Sequence, residues 1–330
     1  MRAPLFWHQP AGLTSTLLSP LGALYAKGTE RRLAKGPREK VGVPVICIGN
    51  INAGGTGKTP TVIALAEKLR DRGIKPHVVS RGYGGSVDGP KQVDERTHSA
   101  DQVGDEPLLL AAFLPTWVAK DRAAGARAAV AAGAEVILLD DGFQNPALHH
   151  DLSLVVVDAW RGFGNGKVMP AGPLREPVAL GMARADLLLS IGSESAQQRF
   201  ADHWGASVTK PHLTGELVPL PTGLPLDGMP VLAFAGIGHP EKFFETLRGL
   251  GADLHAAHAL ADHQPLSDTL MTRLIREADL RGAQVVTTEK DAVRLKPEFR
   301  ARVMTVPVRL RLNEEGPLDA ALDRILDFGS

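Results

Sequence analysis

The sequence predicts an α/β fold in which a mostly parallel sheet is flanked by helices and a second, smaller α/β domain follows. From about residue 43, short apolar runs rich in branched residues alternate with segments of helical spacing. A proline-rich stretch interrupts this alternation near residue 210, and the same pattern starts again near residue 230. A chain of 330 residues is long enough for two domains, each with its own core.

The first domain is predicted to contain parallel strands that are buried on both faces, because its apolar runs are short and continuous. These runs are residues 43–48, 76–80, 135–139, 152–157 and 185–191. The helix after the first run is predicted from the spacing of Val62, Leu65, Ala66 and Leu69, and Gly73 marks its end.

The second domain is predicted from two further strands and two helices. The strands are residues 231–235 and 283–288, and the helices are residues 240–250 and 266–278. Prolines and glycines crowd the stretch before them and leave no helical period, which favours a linker. The predicted division is an N-terminal membrane-associated segment (1–30), a P-loop domain (31–209), a linker (210–229) and a smaller α/β domain (230–330).

The composition argues against nucleic acid as a partner. Lys and Arg together number 37, as do Asp and Glu, so there is no overall basic excess. Aromatic residues make up 5% of the chain, which leaves few side chains for stacking on bases. Cys47 is the single cysteine and lies in an apolar run, so we expect a buried, inert thiol and a reducing compartment.

The first 25 residues are rich in leucine, but His8-Gln9-Pro10 and Ser19-Pro20 interrupt them. A helix that crosses a bilayer needs about 20 mostly apolar residues without such breaks. A basic cluster follows, consisting of Lys27, Arg31, Arg32, Lys35, Arg38 and Lys40. This pairing favours a helix that lies on an anionic membrane surface, and the alternative is a helix packed on its own domain.

A glycine-rich loop follows the first predicted strand and opens the first predicted helix. It consists of Asn52, Ala53, Gly54, Gly55, Thr56, Gly57, Lys58 and Thr59. In this context the glycines turn backbone N–H groups toward a phosphate, the lysine reaches the β- and γ-phosphates, and the threonine hydroxyl binds Mg²⁺. The pattern predicts a P-loop NTPase-like fold with ATP and Mg²⁺ as cofactors. Asn52 stands where the common pattern has glycine, although asparagine tolerates uncommon backbone angles.

A second acidic group is expected near such a loop. Residues 136–139 form an apolar strand that ends in Asp140 and Asp141, the arrangement known as Walker B. A strand that ends in aspartate is common. The glycine-rich loop is therefore what favours a Walker B role for Asp140 and Asp141.

Three further features are weak when each is taken alone. Asp105 and Glu106 precede an apolar run and fit the first turn of a helix without any function. Asp262-His263 and Arg175 are compatible with plain loops.

Taken together, these residues resemble one family, the tetraacyldisaccharide 4'-kinases, or lipid A 4'-kinases, of Gram-negative bacteria. The resemblance covers nearly the whole chain and rests on eight blocks in one order. The blocks are residues 49–60, 80–84, 103–107, 140–144, 172–177, 235–238, 262–263 and 287–291.

The resemblance implies transfer of the γ-phosphate of ATP to the 4'-hydroxyl of a membrane-embedded tetraacylated glucosamine disaccharide 1-phosphate, which gives lipid IVA. It implies that Asp105 accepts or orients the hydroxyl proton and that His263 is its partner. It also implies that Lys58 and Arg175 offset phosphate charge. The residues it places around Mg²⁺ are Thr59, Asp140, Asp141, Glu106 and Gln144. The implied location is the cytoplasmic face of the inner membrane, in contact with its surface lipids.

Two positions depart from the family pattern. Asn145 follows Gln144 where histidine is common, and His239 follows Gly238 where asparagine is usual, so no family role is carried to either. One alternative function is a P-loop switch or chaperone that hydrolyses nucleotide without transfer, but the guanine-specific Asn/Thr-Lys-x-Asp pattern is absent from the sequence. Another is a soluble P-loop ligase or small-molecule kinase, which the apolar N-terminal segment argues against.

Overall fold

Two sheets organise the computed structural model, which describes residues 4–221, 223, 225–262 and 264–326. The strands are β1 (Val45–Gly49), β2 (Pro76–Ser80), β3 (Lys91–Gln92), β4 (Thr116–Val118), β5 (Val136–Asp140), β6 (Leu152–Asp158), β7 (Leu187–Ile191), β8 (His212–Pro219), β9 (Pro230–Ala235), β10 (Asp253–Ala259), β11 (Gln284–Thr288), β12 (Val303–Val306) and β13 (Val308–Leu312).

The α-helices lie between these strands and at both ends of the described chain. They are α1 (Leu13–Ala34), α2 (Lys58–Asp71), α3 (Ala100–Val103), α4 (Asp105–Ala111), α5 (Arg122–Ala131), α6 (Val178–Arg184), α7 (Glu194–Trp204), α8 (Pro240–Gly249), α9 (Asp268–Arg281), α10 (Glu289–Ala292), α11 (Pro297–Arg300) and α12 (Gly316–Leu326). Short 3₁₀ helices span Leu5–His8 and Gly205–Ser207.

The larger sheet has nine strands in the order β13-β8-β7-β6-β1-β5-β2-β4-β3. It is parallel except at its two edges, where β13 pairs antiparallel with β8 and β3 pairs antiparallel with β4. The smaller sheet has four parallel strands in the order β10-β9-β11-β12. We call residues 230–306, which contain the smaller sheet, the small lobe, and the elements around the larger sheet the large lobe. The predicted α/β fold with a mostly parallel sheet is confirmed.

The central strands of the larger sheet are buried because helices cover both of their faces. On β1, Ile46 and Ile48 pack with α2 on one face, while Val45 and Cys47 pack toward α5 on the other. This two-residue alternation is what a strand between two helical layers requires. Burial also raises the pKa of the Cys47 thiol to about 12, so its predicted burial is confirmed.

The stretch predicted to be a linker contains a strand. Residues 212–219 form β8, which joins the larger sheet between β7 and β13. The interpretation of 210–229 as linker throughout is therefore wrong for these eight residues. The prolines of residues 210–229 lie outside β8 or at its last residue, where they do not interrupt its hydrogen bonds to the neighbouring strands. In addition, β13 and α12 return from the small lobe to the large lobe, where Leu318, Leu322 and Ile325 enter the core.

Helix α1 packs on the large lobe along a narrow strip and leaves four of its leucines exposed. Its buried residues are Ser15, Gly22 and Thr29, at intervals of seven. At Gly22 an added Cβ would lie 2.7 Å from the carbonyl oxygen of Val168, so only glycine permits this approach. The leucines at 5, 13, 17, 21 and 24 are all more than half exposed. In the part of the chain that the structure describes, no helix combines the length and apolarity needed to cross a membrane.

The burial of α9 gives a test of the small-lobe core. Leu274 is 0% exposed and packs beneath β9, whereas Leu280 on the same helix is 81% exposed. We expect Leu274→Ala to lower the free energy of unfolding by about 2–5 kcal/mol, because it leaves a cavity. The matched Leu280→Ala is expected to change it by less than about 0.5 kcal/mol. Denaturant titration measures both, and equal effects would contradict this packing.

Candidate active site

The glycine-rich loop lies where the sequence predicts it, between β1 and α2. Gly57 is the residue before α2 and has φ +96°, and Gly54 has φ +112°. These angles suit glycine and let the loop present its N–H groups at the start of the helix. Lys58 and Thr59 are the first two residues of α2 and both are buried.

Two asparagines brace this loop from inside. The Asn50 side-chain amide donates to the Gly54 carbonyl and to the Thr56 hydroxyl, both at 3.2 Å. The Asn52 amide donates to the Gly162 carbonyl at 3.0 Å. Among the described non-glycine residues only Arg38 and Asp141 have positive φ, so Asn52 replaces glycine for its amide and not for its backbone freedom.

Asp140 is a buried carboxylic acid at the carboxyl end of β5. Its Oδ2 atom accepts a hydrogen bond from the Ser80 hydroxyl at 3.0 Å. Its Oδ1 atom is buried and has no hydrogen-bond partner among the described residues. Burial, with the nearby charge of Glu106, raises the pKa of Asp140 to about 7. This oxygen is therefore an acceptor in need of a cation or a proton.

Asp141, the next residue, has the opposite electrostatic environment. Lys58 Nζ lies 3.6 Å from its Oδ1 atom and Arg175 Nη1 lies 3.1 Å from the same oxygen. Burial alone would raise the pKa of Asp141, but the charges of Lys58 and Arg175 outweigh it and the pKa is lowered. Asp141 is thus an ionised carboxylate that holds two cations at the mouth of the phosphate loop.

Gln144 is engaged by protein groups on both sides of its amide. Its Oε1 atom accepts from Arg175 at 3.2 Å, and its Nε2 atom donates to the Asn50 carbonyl at 2.8 Å and to Glu176 at 2.9 Å. In this arrangement Gln144 aligns Arg175, and its place around Mg²⁺, which the family resemblance implies, stays a prediction.

Asp105 and Glu106 lie in the first turn of α4. The sequence predicts this position even when no function is assumed for them. The structure adds two cations from the small lobe. Arg294 Nε lies 3.5 Å from Asp105 Oδ2, and Lys290 Nζ lies 3.3 Å from Glu106 Oε1. The predicted partner His263 lies outside the described residues, but Asp262 beside it has Oδ1 3.6 Å from Lys290 Nζ.

The small lobe also reaches the phosphate loop directly. A Cβ atom placed on Gly238 would lie 3.4 Å from the Gly55 nitrogen. Arg161 donates to the Gly238 carbonyl at 2.8 Å, and Lys242 pairs with Asp158 at 2.6 Å. His239 is the residue before α8 at this contact, whereas Asn145 closes a local turn by accepting from the Ala147 N–H.

Several residues at the site were given no role from the sequence. Ser80 and Lys290 lie in two of the sequence blocks on which the family resemblance rests, so the sequence could have pointed to them. Arg122 lies in no recognised motif, yet it is buried and donates to the Asp141 carbonyl at 3.2 Å. Only the sheet topology reveals it, because α5 begins beside the end of β5.

The fold and this loop define the class of protein: an α/β P-loop protein that binds a nucleotide phosphate at the carboxyl edge of its sheet. The family model described as "Tetraacyldisaccharide-1-P 4'-kinase" (LpxK) matches residues 14–327, and the chain belongs to this family. It is an ATP-using kinase of lipid A biosynthesis.

Relatives match the chain from end to end. A tetraacyldisaccharide 4'-kinase of Jannaschia sp. (strain CCS1) is 75% identical over 326 residues, which are 99% of each chain. That of Dinoroseobacter shibae is 64% identical over 329 residues, or 98% of each. The crystal structure of LpxK from Aquifex aeolicus in complex with ATP matches with a TM-score of 0.76 at 28% identity, covering 95% of this chain and all of that one.

The geometry of Gly57 gives a test of the loop. A Cβ atom at this position would lie 2.6 Å from Ile191 Cδ1, and the backbone angle strains any side chain. We expect Gly57→Ala to weaken ATP binding about tenfold or more, because the loop must reorganise to relieve at least ~1.4 kcal/mol of strain.

Gly205→Ala is the matched control, since no atom lies within 4 Å of its Cβ position. Its ATP affinity is expected to stay within about twofold of wild type. Isothermal titration calorimetry measures both variants, and wild-type affinity of Gly57→Ala would contradict the described loop geometry.

Proposed function

We propose that this chain transfers the γ-phosphate of ATP to the 4'-hydroxyl of a tetraacylated glucosamine disaccharide 1-phosphate, giving lipid IVA. The observation that carries the proposal is the convergence of Lys58 and Arg175 on Asp141 at the phosphate loop, with Glu106 of α4 near Asp140. The 75% identical Jannaschia relative is named for this activity. Lysine and arginine bind phosphate oxygens with the same charge-assisted hydrogen bonds that they make to a carboxylate, so these two cations can also bind a terminal phosphate.

The residues divide the reaction between binding and proton transfer. Backbone N–H groups of the loop and Lys58 hold the phosphates, and Arg175, aligned by Gln144, offsets charge on the transferring group. Asp105 accepts the proton of the sugar hydroxyl as that oxygen bonds to the γ-phosphorus and ADP leaves. His263 enters only through the family resemblance, as the partner of Asp105.

The residues at the end of β5 fit a magnesium ion. The buried Oδ1 atom of Asp140 and the hydroxyl of Thr59 are hard oxygen donors, and Asp140 Oδ1 has no hydrogen bond within the described chain. Asp141, Glu106 and Gln144 are occupied by Lys58, Lys290 and Arg175, so they belong to an outer layer. Bound Mg²⁺ would neutralise phosphate charge.

No cluster of three or more His, Cys, Asp or Glu side chains in the described ranges is arranged to hold a metal without other ligands. Mg²⁺ at a nucleotide site takes one or two carboxylates and completes its shell with phosphates and water.

We also propose that α1 and the preceding 3₁₀ helix attach the enzyme to the cytoplasmic face of the inner membrane. Five leucines are exposed along them, and basic residues follow at the end of α1. An apolar face next to positive charge suits the surface of an anionic bilayer, where an acylated substrate resides.

The transfer itself is tested with γ-labelled ATP and the acylated disaccharide phosphate. Lys58→Ala is expected to lower label transfer to lipid by about a hundredfold or more, because positioned charge dominates this chemistry. The control Lys75→Ala, an exposed lysine after α2, should keep wild-type turnover. Label that enters only free phosphate would favour a nucleotide-hydrolysing switch and overturn the proposal.

Membrane attachment is tested by replacing Leu17, Leu21 and Leu24 together with serine. We expect binding to vesicles of anionic phospholipid to weaken about a hundredfold or more, because each exposed leucine contributes at least ~1 kcal/mol on burial. ATP affinity should not change, since these side chains point away from the large lobe. The single control Leu280→Ser, on α9, should bind vesicles like wild type. Unchanged vesicle binding of the triple variant would refute attachment through α1.

A further inference from the structure

Two cations of the small lobe reach across to the two acids that open α4. Both lie at α10 or just after it: Lys290 within the helix and Arg294 two residues beyond its last residue. Each faces one acid, with Arg294 beside Asp105 and Lys290 beside Glu106. The contact therefore joins the small lobe to the helix that carries the predicted proton acceptor.

Arg294 is held rigidly from behind. Its Nη2 atom pairs with Asp291, which is completely buried, and its Nη1 atom donates to the Gln264 carbonyl at 2.9 Å. Asp291 is itself held by the Gly236 N–H at 3.0 Å and by the Thr288 hydroxyl at 2.7 Å. With both of its Nη atoms anchored, the guanidinium keeps its Nε atom 3.5 Å from Asp105 Oδ2, at ion-pair distance and without a hydrogen bond between them among the described residues.

Lys290 is held between two acids. Its Nζ atom lies 3.3 Å from Glu106 and 3.6 Å from Asp262. Burial alone would lower the pKa of Lys290, but Glu106 and Asp262 outweigh it and the pKa is raised, so the ammonium stays charged. The same ammonium thus links α4 to the segment that precedes the predicted residue His263.

These ion pairs affect the orientation of the two carboxylates more than they affect the free energy of folding. Removing charged groups from water costs about as much as a buried pair regains, so such pairs add little net free energy of folding. They do fix direction, because a carboxylate that is 13% exposed and lies beside an anchored guanidinium has few alternative positions. In phosphoryl transfer, misplacement of a reacting group by about 1 Å costs roughly a hundredfold in rate.

We propose that Arg294 and Lys290 are positioning residues for phosphoryl transfer, which hold Asp105 and Glu106 in the orientation that the acceptor hydroxyl requires. The proposal rests on the function proposed above. Neither side chain is assigned contact with ATP or the reacting atoms, so their loss lowers turnover while nucleotide affinity is kept.

The first test is Arg294→Lys, which keeps a charge for the buried Asp291 but removes the guanidinium Nε atom that lies beside Asp105. We expect kcat for label transfer to fall about tenfold to a hundredfold, with the KM for ATP within about twofold of wild type. The matched control is Arg302→Lys, an exposed small-lobe arginine paired with Asp279, which should keep wild-type kcat. Wild-type kcat in Arg294→Lys would overturn the role of Arg294.

The second test does not disturb Asp291, so it stays informative if Arg294→Lys fails to fold. Lys290→Met should lower kcat about tenfold or more, and Lys290→Arg should recover most of the loss because it restores the positive charge. Such recovery is expected if Lys290 acts through its charge and not if its side chain only fills space. Equal kcat in both variants and in wild type would overturn the role of Lys290.

A double-mutant cycle identifies the group through which Arg294 acts. In an Asp105→Asn background, Arg294→Lys should cause little further loss, since the carboxylate it orients is gone. The same fold-loss in both backgrounds would overturn the proposal. Failure of the proposed function is distinguishable, because wild-type protein would then put no label into lipid, whereas failure of this inference leaves wild-type transfer intact and the variants equal to it.

Discussion

The active site depends on the parallel pairing of β1 with β5. In this register Ile48 lies beside Asp140, so the strand that leads into the phosphate loop ends next to the strand that carries the two aspartates. Parallel strands bring their carboxyl ends to one edge, and helix α2 adds its N-terminus at the same place. A shift of this register by one residue would turn Asp140 to the opposite face and separate the loop from its acids.

Two adjacent aspartates acquire different properties from this arrangement. Asp140 points into the sheet edge, where burial favours its protonated form, and one of its oxygens has no hydrogen bond from the described residues. Asp141 takes a left-handed backbone angle, which directs its carboxylate to Lys58 and Arg175. The two side chains therefore differ in charge: the pKa of Asp140 is raised, whereas Asp141 is ionised and holds two cations at the phosphate loop.

Much of the fold was legible from local pattern, but the residues that cross between lobes were not. Strands β1, β2, β5, β6 and β7 of the larger sheet and the loop at Lys58 were predicted, because apolar runs and glycines act over a few positions. Strand β8 was missed because its prolines conceal a short alternation that becomes a strand only by pairing with β7 and β13. Arg294 and Arg122 were missed since each contacts a residue of another element, Asp105 on α4 and Asp141 just after β5, and no local spacing records such contacts. The role of His263 stays a prediction.

The seven-residue spacing of Ser15, Gly22 and Thr29 has a consequence for how the molecule meets its substrate. A helix seated along such a seam cannot roll about its own axis, and Trp7 and Ser19 tie it further to the loop that leads to Arg175, through Pro170 and Lys167. The leucine face and the reaction centre then keep a constant separation and angle. With α1 on a bilayer as proposed, the protein would then fix the height above the acyl region at which it can reach a sugar hydroxyl. A headgroup of another length would place its hydroxyl short of the phosphate or beyond it.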